Sequence, residues 1–480
     1  MQWLKWVKRQ HVRFLALLCL SLGLVTCSAS TSLEPIAYSV NADKAAVEDT
    51  ATDIRIVWTQ GFLPEENAAV VSLVADWEKE SGLKADLTLF SQRDIIQETN
   101  KAVDAGNPPD VLFIVAGDTD LIPLQAWEDQ LADVSKIIEP IKANYTEAAL
   151  EASFYPNHVT NEPHYYAIPL AQQATNIHYW KSLLESVNLR EENIPSDWNG
   201  FWNFWKEAQD RMRKQGKQDI FALALCMSDK GQDTNQIFLE FLNAYGVEMV
   251  DKTGKLRLGE PEQRGRAVQA LTQFVDLYRD KYVPSDANTW TDAGNNINFL
   301  EGRSVLTANG TLSVPLTQKQ SVNQYNKVSN DRYLNEVRTL AKWPRNPDGS
   351  PHRSTVGIKQ VVAFKEAAHP EAAAKFLEYL TRPEVVNSWL SNQKGRFFPV
   401  MPQLLQDPFW AQNDPHLAAG LALLKQGVEP GYQVYTPAFS QMLSQKVLAS
   451  AVLKVINGMS AEQAIDDVIE QAKQIFAEFR

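Results

Sequence analysis

The sequence predicts an α/β protein whose folded part is divided into two or three lobes. Strand-like and helix-like segments alternate at the start of this part, which is typical of a parallel sheet with helical crossovers. The chain has 480 residues, too many for one hydrophobic core. With 44% hydrophobic and 22% charged residues, its composition is that of a folded soluble protein.

The N-terminus has the composition of an export signal. Four basic residues and no acidic ones accompany the apolar run Phe14–Val25, which has the length of a signal-peptide core and is short for a membrane span. The following Leu24-Val25-Thr26-Cys27 resembles the bacterial lipoprotein box, in which the Cys is lipidated and becomes the N-terminus. Thr26 departs from the Gly, Ala or Ser usual before this Cys.

We therefore expect a lipoprotein signal peptide over residues 1–26, a lipid on Cys27 and a periplasmic body anchored to the membrane. Residues 27–52 are rich in Ser, Thr, Ala, Asp and Glu with little periodicity, which is typical of a flexible tether. A plain secretory signal and an uncleaved anchor are the alternatives. Each of them also exports the body.

The first sheet is predicted from three strands with helices between them. Each strand is β-rich or apolar, the first helix is preceded by Pro64 and followed by Gly82, and the second ends before Gly106. The carboxyl ends of parallel strands share one edge of a sheet, where ligands bind; here those ends carry Gln60, Gln92 and Asp118. In order, the segments are strand 53–58, helix 68–80, strand 85–90, helix 93–104 and strand 111–115.

The segment Tyr165–Leu184 is predicted to cross from one lobe to another. Pro169 has no N–H for a central ladder, so we expect the chain to leave a sheet edge or begin a crossing there. Exposed amides such as Gln173 follow, and then Ile177–Leu184, whose apolar residues recur at helical spacing. This composition suits the wall of a cleft, although an ordinary strand, turn and helix in a core explains it equally well.

After this segment the chain is predicted to be mostly helical. A band of five aromatic residues over 198–205 is interpreted as core rather than as a ligand platform. The other predicted elements are helices 232–245, 262–280 and 370–380, strands 220–225, 304–308 and 357–364, and C-terminal helices from about residue 440.

Charge and cysteine content exclude several functions. Without the four basic residues of the predicted signal, 42 basic and 58 acidic residues remain, which argues against a nucleic-acid partner because phosphate binding needs a basic surface. Cys226 is the one cysteine beyond the predicted lipidation site. It lies in an apolar run and is predicted to be a buried, inert thiol, so no disulfide framework or Cys-based metal site is expected.

The sequence lacks the motifs of common catalytic sites. It has no G-x-S-x-G, H-E-x-x-H or phosphate-binding P-loop pattern, and none of its His residues pair at metal-ligand spacing. We therefore predict a protein that is not an enzyme and has no cofactor or metal. The alternative is an exported glycoside-active enzyme, because its two carboxylates lie far apart in a sequence.

Aromatic and amide side chains are frequent near the predicted strand ends. Sugars present apolar C–H faces ringed by hydroxyl groups, so a site of stacked aromatics with amide and carboxylate hydrogen bonds suits them. Among the aromatics we expect Trp58, at the end of the first strand, and Trp290, in a polar loop, to face the ligand.

Six short segments resemble the extracellular solute-binding proteins of carbohydrate-importing ABC transporters, the maltose- and glycerol-phosphate-binding type. None is specific alone, but they occur in the family's order over nearly the whole exported body. They are Ala102–Val111, Tyr166–Pro169 with Tyr179–Leu184, Pro195–Trp198, Phe299–Arg303, Gly357–Ala363 and Pro370–Leu377.

This resemblance implies the two-lobe, type II periplasmic-binding-protein fold, with hinge closure around a ligand cleft. One lobe is expected from residues 53–165 plus about 302–355, and the helix-rich lobe from 166–301 plus about 356–480. The ligand contacts are expected at Trp58, Gln60, Gln92, Asp118, Gln173, Trp290, Asn309, Gly357 and Arg396.

The resemblance further implies the substrate-binding subunit of an ABC importer, a monomer that delivers a sugar or small glycoside to its permease. Gly310 stands where relatives often carry Trp, which weakens the case for a long maltodextrin. A disaccharide or glucosyl-polyol is the favoured hypothesis. Glycerol phosphate diesters, with Arg396 as the phosphate partner, and a solute sensor for a membrane receptor are the alternatives.

Overall fold

A computed structural model describes residues 52–320 and 331–479 of the chain. The predicted signal peptide, Cys27 and the predicted tether up to residue 51 lie outside the described residues. Within those two ranges, no helix is both long enough and apolar enough to cross a lipid bilayer.

The described strands and helices alternate along the chain. The strands are β1 (Ile54–Thr59), β2 (Ala85–Phe90), β3 (Val111–Ile114), β4 (Phe154–Tyr155), β5 (His164–Tyr165), β6 (Ile168–Ala174), β7 (Asn176–Trp180), β8 (Phe221–Ala224), β9 (Ser304–Asn309), β10 (Val337–Thr339), β11 (Ser354–Ala363), β12 (Phe398–Pro399) and β13 (Val428–Pro430). The helices are Pro64–Ser81, Ile95–Asp104, Gly117–Asp120, Ile122–Trp127, Ser135–Ile138, Glu147–Glu151, Lys181–Glu185, Trp198–Lys214, Asp233–Ala244, Pro261–Arg279, Gly294–Leu300, Ser313–Gln320, Pro370–Tyr379, Pro383–Asn392, Pro408–Ala411, Pro415–Gln426, Pro437–Ser444, Val447–Ile456 and Ala461–Ala477.

The larger sheet confirms the predicted α/β start of the body. Its strands follow the order β12-β6-β11-β3-β1-β2, and β13 pairs beside β11. β1 is parallel to both β2 and β3, while β11 runs antiparallel to β3 and β6. The helix Pro64–Ser81 begins at a proline and ends before Gly82, whose φ of 73° is the left-handed conformation that favours glycine.

β6 continues to Ala174, so the predicted crossing does not begin at Pro169. Among the described residues, Pro169 has no strand partner on its outer side, because β12 pairs only with Ala171 and Gln172. It is the second residue of β6, which lies between β12 and β11. The register of β6 against β11 shifts at this point, where Gln360 pairs with Pro169 and Lys359 with Ala171. A proline without an N–H is tolerated here because β6 is paired on one side only and the register shifts at this position.

The segment Ile177–Leu184 is mostly strand, which corrects the helical prediction. β7 spans Asn176–Trp180 and only the short helix Lys181–Glu185 follows. All five residues of β7 are buried, and the strand is paired on both sides in the smaller sheet, of order β10-β7-β9-β8. Burial on both faces removes the two-residue alternation by which a strand is usually predicted. The chain does pass between the two sheets here, with Thr175 alone separating β6 from β7.

Strand pairing assigns three segments differently from the expected lobe boundaries. β6, expected in the second lobe, lies in the larger sheet. β9 and β10, expected in the first lobe, pair with β7 in the smaller sheet. β11 and the following helix Pro370–Tyr379, expected in the second lobe, belong to the core of the larger sheet. The physical reason is that β9 pairs in parallel with β8, which lies far from it in the sequence. The order of the elements along the chain does not reveal which distant strands will pair.

Each sheet has its own hydrophobic core. The aromatic band of the helix Trp198–Lys214 packs into the core of the smaller sheet, and its five rings are at most 5% exposed. The interpretation of this band as core is therefore confirmed. Connections between the two cores include Thr175, residues 310–312, residues 340–353 and residues 435–437, since Val434 packs in the core of the larger sheet and Ala438 in that of the smaller sheet. A cavity lies beside these connections.

Candidate functional site

A cavity of about 1020 Å³ is bordered by elements of both sheets. From the larger sheet come residues after β3, the end of β6 and the start of β11. From the side of the smaller sheet come the end of β9 and the helix Asp233–Ala244, along its length from Asp233 to Asn243. Segment 429–435 also lines the cavity, as do residues between 246 and 252, between 292 and 296 and between 439 and 446. The cavity thus lies at strand ends, where α/β folds bind ligands.

Six of the nine predicted site residues line this cavity. The sequence predicted them separately, and the fold brings them to one cavity although Gln92 and Arg396 are more than 300 positions apart. Their contact with a ligand stays a prediction. They are Gln92, Asp118, Gln173, Asn309, Gly357 and Arg396.

Trp58 does not line the cavity, which corrects the expectation. It is 2% exposed and stacks on Phe113 at a centroid distance of 4.2 Å, with Trp389 edge-on at 5.8 Å. Side chains alternate along a strand, and Trp58 falls on the same buried face of β1 as Ile54 and Ile56.

Gln60 and Trp290 also lie outside the cavity lining. The backbone N–H of Gln60 donates to the carbonyl of Phe90, which prolongs the β1–β2 ladder. Trp290 packs against the core of the smaller sheet, and its carbonyl accepts a hydrogen bond from Ser228 Oγ. Two residues later, Asp292 reaches the cavity in its place.

A buried ion pair lies in the cavity wall where β3 and β11 adjoin. Asp118 accepts a hydrogen bond from the backbone N–H of Ile358 at 3.0 Å, and Lys359 Nζ lies 3.5 Å from its other oxygen. Burial raises the pKa of Asp118, and the positive charge of Lys359 opposes this shift. A Cβ at Gly357 would lie 3.3 Å from Asp118 and 3.4 Å from Gln173, so glycine keeps this part of the wall open.

Nine amide side chains contribute to the polar lining of the cavity, beside thirteen charged ones. Gln173 and Gln236 approach Gly310 from two sides, because a Cβ there would lie 3.2 Å from Gln173 Nε2 and 3.1 Å from Gln236 Oε1. Asn309 donates to Asn296 at 2.8 Å. Sequence reasoning missed most of these amides, since on a helix they resemble ordinary solvent-facing residues. The nine are Gln92, Gln173, Gln232, Asn235, Gln236, Asn243, Asn296, Asn309 and Gln433.

Ionisable groups line a second part of the wall. Asp292 accepts a hydrogen bond from the backbone N–H of Asp233 at 2.9 Å, at the start of the helix Asp233–Ala244. Burial, reinforced by the Asp292 carboxylate, raises the pKa of Asp233 to about 8. Burial also raises the pKa of Asp120 to about 6, against the opposing charge of Lys446. The described residues contain no His, Cys, Asp and Glu cluster of three or more arranged for a metal ion.

Four aromatic residues line the cavity, and sequence reasoning identified none of them. One lies in the loop after β1, two lie just before the helix Pro437–Ser444, and one lies in its first turn. The hydroxyl groups of the two tyrosines are engaged, with Val247 O and Glu151 respectively. The four are Phe62, Tyr432, Tyr435 and Phe439.

Two α/β cores with a polar cavity beside their connections are the architecture of binding proteins that close on a small solute. The chain belongs to the bacterial extracellular solute-binding protein family, whose family model matches residues 72–419. It is therefore an extracytoplasmic binding protein and not an enzyme, as predicted.

Comparison with known proteins agrees with this assignment. In sequence the chain is similar to YcjN of Escherichia coli K12, named as an ABC transporter periplasmic-binding protein, with 22% identity over 448 residues, 88% of this chain and 95% of YcjN.

The fold is similar to solved structures of the same class. An ABC transporter solute-binding protein of Thermotoga lettingae, bound with α-D-tagatose, has a TM-score of 0.70 and 18% identity over 88% of this chain and 100% of its own. Maltose-bound MalE3 of T. maritima has a TM-score of 0.66 and 19% identity, over 88% of this chain and 100% of its own. A sugar transporter protein of Arthrobacter chlorophenolicus with bound laminaribiose has a TM-score of 0.68 and 16% identity, over 88% of this chain and 98% of its own. These likenesses confirm the predicted two-lobe periplasmic-binding-protein fold.

Proposed function

We propose that the protein captures a sugar or small glycoside outside the cytoplasmic membrane and delivers it to the permease of an ABC importer. The single observation that carries this proposal is the cavity lining, in which nine amide side chains accompany four aromatic ones. Amides both donate and accept hydrogen bonds, as hydroxyl groups do. The sugar ligands named for the similar solved proteins agree with this chemistry.

A phosphorylated ligand is disfavoured at Arg396. Its guanidinium lies 2.6 Å from Glu66, and the two side chains are 10% and 6% exposed. A phosphate at this site would have to compete with a buried carboxylate that already holds the cation. This arrangement argues against Arg396 as the phosphate partner of a glycerol phosphate diester.

Two lobes, one around each sheet, close on the ligand in this proposal. Hinge motion uses a few residues at the ends of elements, and the segments available include Thr175, residues 310–312, residues 340–353 and residues 435–437. We also propose a monomer, tethered to the membrane through lipid on Cys27 after removal of residues 1–26. Replacement of Cys27 by Ser should release the protein from membranes to the soluble fraction.

Isothermal titration of the full-length protein, purified in detergent, tests the function. The probes are maltose, laminaribiose, tagatose and glucosylglycerol, with glycerol 3-phosphate and an amino-acid mixture as competing classes. We expect at least one sugar to bind and to be recovered unchanged after prolonged incubation. Binding of glycerol 3-phosphate or an amino acid, with none of the sugars, would refute the carbohydrate proposal while leaving the family assignment intact.

A further inference from the structure

Phe62 is an exposed aromatic ring at the cavity. Among the described residues, six large hydrophobic side chains are more than a third exposed: Phe62, Val71, Phe154, Val159, Ile297 and Leu334. Of these six, Phe62 alone lines the cavity, with 55% of its surface exposed. A single exposed phenyl ring is common on protein surfaces; what distinguishes Phe62 is its position at the cavity and the contacts that hold it there.

The backbone on both sides of Phe62 is fastened to the helix that follows. The N–H of Gly61 donates to Asn67 Oδ1 at 2.7 Å, and the N–H of Leu63 donates to Glu66 Oε1 at 3.0 Å. A Cβ on Gly61 would lie 2.2 Å from the Glu66 Cβ, so only glycine permits this close approach. Leu63 itself is buried, at 2% exposure. The loop is thus built to hold one ring outward.

The Phe62 ring is also in contact with a cation, the guanidinium of Arg396. The Arg396 guanidinium lies 5.4 Å from the centroid of Phe62 and 4.8 Å from that of Phe397, within the range of cation–π contact. Glu66 fixes Arg396 through its second oxygen, Oε2, at 2.6 Å. One buried carboxylate therefore holds both the loop backbone and the cation beneath the ring.

We propose that Phe62 is the ring on which the bound sugar stacks, and that Glu66 and Arg396 are positioning residues that hold it there. This inference rests on the proposed function of sugar capture. The ring face not covered by Arg396 receives the C–H face of a cyclic sugar, while the amides of the opposite wall bind its hydroxyl groups. The substrate class is therefore a ring-form sugar, and an open-chain polyol of similar hydroxyl content binds more weakly because it has no rigid apolar face.

Titration of Phe62 variants against maltose, laminaribiose and tagatose tests the stacking. We expect Phe62→Ala to weaken the tightest of these by at least about tenfold, Phe62→Leu to weaken it nearly as much, and Phe62→Tyr to retain most of the affinity. Phe154→Ala is the matched control, because Phe154 is 39% exposed and outside the cavity lining; it should bind like the native protein. Unchanged affinity in Phe62→Ala, with sugar binding intact in the native protein, would overturn the inference alone. A native protein that binds none of the three sugars would refute the proposed function and the stacking role together.

The positioning role of Arg396 is tested by ligand affinity in a double-mutant cycle, which separates this role from a general loss of protein stability. Arg396→Lys keeps a charge for Glu66 and loses the flat surface under the ring, so affinity should fall by about threefold or more. The double variant Phe62→Ala, Arg396→Lys should bind no more weakly than Phe62→Ala, because both changes remove one stacking platform. Additive losses in this double-mutant cycle would show that Arg396 contacts the sugar directly and overturn its positioning role.

Discussion

Lys359 Nζ lies 3.5 Å from Asp118 Oδ1, with both side chains at most 5% exposed. The two residues belong to neighbouring parts of the larger sheet, and Lys359 also donates to the carbonyl of Val115 at 2.6 Å. The ion pair therefore joins the segment that follows β3, which lines the cavity, to β11. Removing one partner of a buried pair costs more than the pair itself contributes, because a charge is left uncompensated.

Asp118→Asn is accordingly expected to lower the free energy of unfolding by about 3–5 kcal/mol. The amide still accepts from the N–H of Ile358 but leaves the Lys359 charge unpaired. Urea unfolding measures the loss. The double variant with Lys359→Met should regain part of it, and Glu470→Gln, in the exposed pair with Lys473, should change stability by less than about 1 kcal/mol. Equal urea midpoints for Asp118→Asn and the native protein would contradict the prediction.

Thermal stability should decrease from mildly acidic to alkaline pH because of Asp233. Its pKa is raised from 3.8 to about 8 in the folded protein, so the folded state holds a proton that the unfolded chain releases. That contribution is fully present below pH 3.8 and is lost as pH rises through about 8. Melting temperatures at pH 6 and pH 9 measure it. Asp233→Asn cannot titrate and should have a flatter profile; the same slope in both proteins would disprove this assignment.

Trp58 variants should affect stability and leave ligand affinity unchanged. Trp58→Ala removes a ring packed on Phe113 and Trp389, and such truncations cost about 3–5 kcal/mol. Trp58→Phe keeps most of the packing and is the variant for titration with the sugars that bind. A tenfold weaker affinity in a well-folded Trp58→Phe protein would place this residue at the ligand after all.

Trp343 should stabilise a connection between the two sheets. Its indole N–H donates to the carbonyl of Thr175 at 2.9 Å, and Thr175 is the residue between β6 and β7 that also lines the cavity. Trp343→Phe leaves this buried carbonyl without its donor, at a cost of about 1–3 kcal/mol. Trp202→Phe is the matched control, since the buried Nε1 of Trp202 has no hydrogen-bond partner among the described residues. Denaturant unfolding should show a larger loss for Trp343→Phe, and equal losses would contradict the role of this hydrogen bond.

Strand ends predicted part of the site, and the crossing segment and the family resemblance supplied other lining residues such as Gln173 and Arg396. Gln92 and Asp118 follow β2 and β3, and such positions are identifiable because parallel strands share an edge. Trp58 satisfied the same rule but points into the core, since the alternation of β1 decides its direction. Phe62 and Gln236 carried no local indication, because an exposed phenyl in a loop and an amide on a helix are common on any surface.

The sequence by itself determined the local elements of this protein and its family. Alternating strands, Pro64 and Gly82 at the ends of a helix, and the aromatic band from Trp198 depend on neighbours a few residues away. Only the tertiary structure decided that β9 pairs with β7 and β8, that Pro169 occupies a bulge, and that Arg396 supports Phe62 through Glu66. These relationships join residues up to hundreds of positions apart. The free energy of their pairing and packing depends on both segments together, so neither segment alone carries a periodic pattern that would predict it.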